Sequence, residues 1–226
     1  MFPKIKDTLK FAWRTLWKNP IYFLGLAVAG GIINWLVDKE EIPFLLKILG
    51  LLIIVVLNIA MMRAAMYATR GEDISWSYLF NMNKNAWAYI KTYIVYQLII
   101  IGGLLLLIIP GFIFLLTYAF APIMSLDKGI KVKEALKQSK EAMKNNRIEL
   151  FGLFFVLVLI NILGAIAFGI GIIITYPLAV ISYMFVYDRL TSKKSEVASN
   201  AVAPQPVEIP VHTGAEHEGE NPHQND

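Results

Sequence analysis

Between Lys91 and Asp127 the chain runs 35 residues without a charge, interrupted near the middle by Pro110-Gly111. At about 1.5 Å per residue, one helix of that length would measure roughly 52 Å, against a hydrocarbon core of about 30 Å. A single crossing does not hold it, so the chain must turn, and the Pro-Gly pair marks the turn. Directly after the run come Lys128, Lys131, Lys133, Lys137, Lys140, Lys144 and Arg147. The pattern predicts a membrane hairpin followed by a basic surface helix.

The whole chain has this character. Its hydrophobic share of 57% and mean hydropathy of +0.56 exceed those of soluble domains. The excess lies in Ile21 to Val37, Ile42 to Thr69, Thr92 to Leu126 and Leu150 to Tyr187. Two runs have single-span length and two have double. The first starts behind five basic residues and two tryptophans with no small-residue cleavage site after it, so it is expected to be retained rather than removed as a signal peptide. With no cysteine, the chain has no disulfide, thiolate metal site or thiol nucleophile.

Charge orders the connections. The N-terminus, Arg63 to Lys91, Asp127 to Glu149 and everything after Asp188 carry 19 of the 21 basic residues. The other side receives the acidic Asp38-Lys39-Glu40-Glu41 and two uncharged turns, at Pro110-Gly111 and near 169–171. By the positive-inside rule both termini face the cytoplasm. All five tryptophans fall near expected membrane boundaries, where amphipathic rings prefer to sit. Loop charge does not distinguish a full hairpin from a re-entrant one; length favours full spans.

The expected fold is all-α: six transmembrane helices in three hairpins at about 20–37, 43–66, 88–109, 111–126, 148–168 and 171–188. Amphipathic interfacial helices precede the hairpins at about 2–18, 74–85 and 130–146, each ending near a Lys-Asn pair: Lys18-Asn19, Lys84-Asn85 and Lys144-Asn145. In the last, Val132, Ala135, Leu136, Ser139, Ala142 and Met143 form one stripe, with the lysines on other faces. In the first, Ile5, Leu9, Trp13, Leu16 and Trp17 lie together as an in-plane anchor. This grammar suits internal repetition or merely stereotyped hairpins. From 191 to 226 the chain turns acidic and proline-containing without periodicity, as in a disordered cytoplasmic tail. His212, His217 and His223 lie there, which is a poor preorganised metal site.

No constellation identifies a reaction. The membrane segments hold no histidine, cysteine or nucleophile elbow, no clustered metal ligands and no phosphate-binding loop, so neither catalysis nor a cofactor is expected. Lys47, Arg63, Lys91 and Glu149 sit close enough to predicted ends to snorkel. Deeper polar residues, chiefly Asn58, Gln97 and Asn161, read as interhelical glue, with substrate contact as the alternative. Ala27/Gly31, Ala60/Ala64 and Ala165/Gly169 suit close helix packing or self-association as a homo-oligomer. Pro122 and Pro177 fall within the fourth and sixth spans and predict kinks.

Leu106-Leu107-Ile108-Ile109-Pro110-Gly111-Phe112, Tyr118-Ala119-Phe120-Ala121-Pro122-Ile123-Met124, Asp127 and Glu134-Ala135-Leu136-Lys137-Gln138-Ser139 with Lys144-Asn145 carry a resemblance over about 73–190. This stretch resembles the polytopic membrane domain associated with some glycerophosphoryl diester phosphodiesterases, a domain that also occurs as stand-alone bacterial and archaeal membrane proteins. The resemblance implies six spans and a prokaryotic membrane, and it assigns no catalytic residue. In fused members the chemistry belongs to a separate metal-binding barrel, so the hydrolase activity is not expected to carry over to these 226 residues.

The leading expectation is a non-enzymatic protein of a prokaryotic cytoplasmic membrane. It would organise lipid or envelope by binding anionic headgroups through Lys128, Lys131, Lys133, Lys137, Lys140, Lys144 and Arg147. Between two membrane hairpins, these residues face headgroups rather than nucleic acid. The alternatives are a permease component for a small or amphiphilic solute, using Asn58, Gln97 and Asn161, and a scaffold binding a protein partner through its tail.

Overall fold

The computed structural model describes residues 2–166 and 171–202, with side chains described as far as 191. Its helices are α1 (Ile5–Lys18), α2 (Pro20–Val37), α3 (Phe44–Arg70), α4 (Trp76–Leu79), α5 (Lys84–Leu106), α6 (Ile108–Thr117), α7 (Ala121–Lys128), α8 (Val132–Ala142), α9 (Arg147–Ile166) and α10 (Ile172–Val202). Among the described residues there is no strand. Six stretches are long and apolar enough to cross a membrane: α2, α3, α5, α6 with α7, α9, and α10 as far as Thr191. The chain is an all-α, multi-pass membrane protein.

Local chemistry sets the boundaries. The Asn83 side chain accepts hydrogen bonds from the Asn85 and Ala86 amides at 3.1 and 3.2 Å, so α5 begins at Lys84. The surface segment expected over 74–85 contracts accordingly to the single turn of α4, and Lys84-Asn85 belongs to a span. α3 continues to Arg70, where Gly71 closes it in the left-handed region at φ 74°. At the other end of the chain, α10 continues as helix to Val202, past the composition change near 191. The remainder of the expected tail, with its three histidines, lies outside the described residues.

Apart from Pro177, which lies inside α10, prolines open helices here. Pro20 stands at the first position of α2, Pro43 just before α3, and Pro110 and Pro122 in the first turns of α6 and α7. The second hairpin therefore turns at Leu107, whose extended backbone (φ −163°, ψ 142°) separates α5 from α6. Pro110-Gly111, expected to be the turn, forms the first turn of the returning helix. Its glycine is needed there: a Cβ on Gly111 would lie 2.9 Å from the Leu104 amide nitrogen, and one on Gly103 would lie 2.9 Å from the Gly111 Cα. Gly164 and Gly171 face each other in the third hairpin in the same way.

α10 is the hub, packing on α1, α2, α3 and α9, while α5 holds α6 and α7. α3 and α10 run parallel, because Asn58 meets Tyr176 near one level and Thr69 meets Asp188 further along. Fully buried side chains gather toward the basic end, among them Leu16, Phe120, Met143, Leu150, Leu153 and Tyr187. Toward the opposite end large apolar side chains face outward, and Leu105, Ile109 and Ile166 are 83, 74 and 75% exposed. Such an exterior is suited to lipid, whose tails are as apolar as leucine.

The fourth span is broken at Tyr118–Phe120, before Pro122 rather than at it. Ends of helices leave carbonyls without partners. Here the Tyr96 hydroxyl donates to the Leu115 carbonyl at 3.0 Å, Ser139 Oγ donates to that of Thr117 at 3.0 Å, and the Tyr183 hydroxyl donates to that of Ala119. Three different helices thus plug one break, which satisfies the requirement that backbone polar groups at membrane depth find internal partners.

Candidate functional site

At the basic end, Lys128, Lys131, Lys133, Lys137, Lys140 and Lys144 are all exposed, and Arg147 is half-buried. They are presented by α8 and its flanks because Ala135, Ser139 and Met143 are fully buried against the bundle, with Leu136 and Ala142 packed beside them. The stripe read from the sequence is real, but protein rather than lipid covers it. The same holds for α1, where Ala12 and Leu16 are buried and Phe11 stacks on Phe185 at 4.3 Å, leaving Trp13 and Trp17 each 49% exposed. All five tryptophans are exposed, between 42 and 62%.

The deep polar residues divide. The Tyr176 hydroxyl donates to Asn58 Oδ1 at 2.6 Å, and Thr175 Oγ1 donates to Asn161 Oδ1 at 3.1 Å, tying α10 to α3 and to α9. Gln97 is not brought to them; it lies on the exposed face of α5. Two cavities flank Tyr176. One of about 570 Å³, between α2, α3 and α10, includes Asn34, Asn58 and Tyr176 in its wall. The other, about 820 Å³ between the second and third hairpins, is lined by Phe112, Phe151, Phe154 and Phe155 with Asn161 at its edge. Ala27 and Gly31, whose spacing suggested close helix contact, line the first cavity. Ala60 and Ala64 are fully buried in packing, and Gly169 lies outside the described residues.

A polar knot absent from the sequence reading joins the ends of the three returning membrane spans. Arg70, closing α3, donates to both carboxylate oxygens of Asp127 at 2.8 Å and to Asp188 Oδ1 at 3.2 and 3.3 Å. The Tyr187 hydroxyl donates to Asp127 at 2.8 Å, and Thr69 Oγ1 to Asp188 at 2.8 Å. Asp127 stands at the C-terminal end of α7, where helix carbonyls disfavour a negative charge, so the fork of Arg70 supplies what the helix end lacks. The first charged residue after each returning apolar run, Arg70, Asp127 and Asp188, was the available signal.

Arg63 does not snorkel. It is 6% exposed and donates to the carbonyls of Tyr78 and Leu79 at 3.2 and 3.3 Å, to that of Asn81, and to Asn83 Oδ1 at 3.0 Å. The loop after α4 folds over the guanidinium and provides acceptors that a sequence reading of helix ends does not reveal. Together with Arg70, Tyr67 and Tyr78 it lines a polar pocket of about 320 Å³ whose walls also carry Glu72 and Asp127.

Among the described residues no group of histidines, cysteines or carboxylates is arranged to hold a metal ion. The fold and these surfaces define a multi-pass α-helical membrane protein. No family model, curated protein or solved structure matches the chain.

Proposed function

We propose that this is a non-catalytic protein of a prokaryotic cytoplasmic membrane, with both termini cytoplasmic, that organises lipid by holding anionic headgroups against α8 and its flanks. The observation that carries the reading is the exposed set Lys133, Lys137 and Lys140 on α8, with Lys128, Lys131 and Lys144 on its flanks, while the other face of that helix is fixed to the bundle. Because protein takes up the small and apolar stripe, attraction to the membrane there is electrostatic, at about 1 kcal/mol per basic residue near an anionic surface. Loop charge supports the orientation.

The test is native mass spectrometry of protein extracted from bilayers mixing phosphatidylglycerol with phosphatidylcholine. The wild type should retain the anionic lipid preferentially, and K133E/K137E/K140E should lose most of that preference. An unchanged preference in the triple variant would sink the proposal.

A further inference from the structure

We infer that the cavity between α2, α3 and α10 is a binding site for a neutral, hydroxyl-bearing amphiphile. It stands apart from the headgroup surface and shares no residue with it. Its volume of about 570 Å³ falls within the usual range for small-molecule sites, and Asn58 sits at the middle of the 27-residue α3.

The charge of the ligand follows from the wall. No lysine, arginine, aspartate or glutamate lines the cavity. An ion held against Asn58 would give up hydration without gaining a counter-charge, so the occupant is neutral.

Its polar chemistry follows from the capacity left over. Asn58 uses one amide hydrogen on the Ile54 carbonyl at 2.8 Å and one lone pair on the Tyr176 hydroxyl at 2.6 Å. An asparagine side chain can make about four hydrogen bonds, so a donor and an acceptor remain. The exposed Asn34 adds a side-chain amide at the cavity's open side, and Pro177 has no N–H to give the Ile173 carbonyl, another part of the wall. A hydroxyl both donates and accepts and so matches a mixed set; an ester or ketone only accepts. Leu26, Leu57 and Met61 provide the surface for an alkyl chain. Gly30 and Gly31 on the wall leave open space, since an added Cβ would meet nothing within 4 Å.

The experiment uses the full chain in phosphatidylcholine nanodiscs and a diazirine-bearing 1-dodecanol, with labelled residues located by peptide mass spectrometry. Saturable labelling is expected on 54–61 and 172–176. Unlabelled 1-dodecanol should displace the probe at concentrations at least tenfold below those needed for dodecanoate or dodecylammonium. G31L sets an isobutyl group on the cavity wall without touching a neighbour at Cβ, so it should reduce labelling at least tenfold with an unchanged melting midpoint. G30V gives the same reading if G31L fails to accumulate. N58D should turn the preference toward dodecylammonium. Non-saturable labelling, equal competition by the charged analogues, or full labelling of the glycine variants would each overturn the inference.

Discussion

Replacing Arg70 by Gln is the sharpest probe of how the three hairpins are held. The change removes two bonds to Asp127 at 2.8 Å and two to Asp188, and leaves both carboxylates without their cation. Breaking a well-buried ion pair costs about 3–5 kcal/mol, whereas exposed pairs are worth less than about 1. The carboxylates are 14 and 16% exposed but the Arg70 side chain is 33% exposed. Discounting for that solvent contact gives about 2 kcal/mol. For a chain of this size the thermal midpoint moves by about 2–4 °C per kcal/mol, so R70Q should melt about 4–8 °C below wild type. The assay is thermal unfolding in one detergent, followed by tryptophan fluorescence. Most of the loss comes from uncompensated charge, so R70Q/D127N should recover at least half of it. A drop below about 2 °C, or a double variant no more stable than R70Q, would refute the reasoning.

The glycine facing in the second hairpin gives a second prediction: G111A should lower the midpoint by about 4–12 °C, since overpacking against backbone costs about 2–3 kcal/mol. G102A, where a Cβ meets nothing within 4 Å, should leave it unchanged. Because the chain has no cysteine, single-cysteine labelling in intact cells reads the threading directly. E40C and L107C should react with an impermeant maleimide from outside and K137C only after permeabilisation; failure at 107 would point to a re-entrant second hairpin.

The spans were legible because uncharged runs of this length have few alternatives in water or lipid. What the sequence obscured were features defined by where helices meet. Pro110 suggested a turn, yet proline's fixed φ and missing N–H suit a helix's first turn, so it marks the return and the turn falls at Leu107. The stripe on α8 was readable, but 3.6-residue periodicity does not say whether lipid or protein covers it. Asn58 and Asn161 were recognised as polar groups needing partners; the partners, Tyr176 and Thr175, lie on α10 and are set only by how α10 packs. Arg63 and Arg70 look alike in sequence, one turned toward neutral carbonyls and the other toward two carboxylates. Only the third dimension separates those roles.

The meeting of Arg70, Asp127 and Asp188 also bears on how the protein is made. Hairpins enter a membrane in the order of synthesis, so Arg70 arrives first, Asp127 joins it with the second hairpin, and Asp188 comes only with the last span. That last span is also the helix against which α1, α2, α3 and α9 pack. Until it emerges, the earlier hairpins lack their common neighbour and one carboxylate of the knot. The final helix is therefore the latch of assembly, and a ribosome that stalls before residue 172 leaves an unlatched set of hairpins rather than a smaller version of the protein.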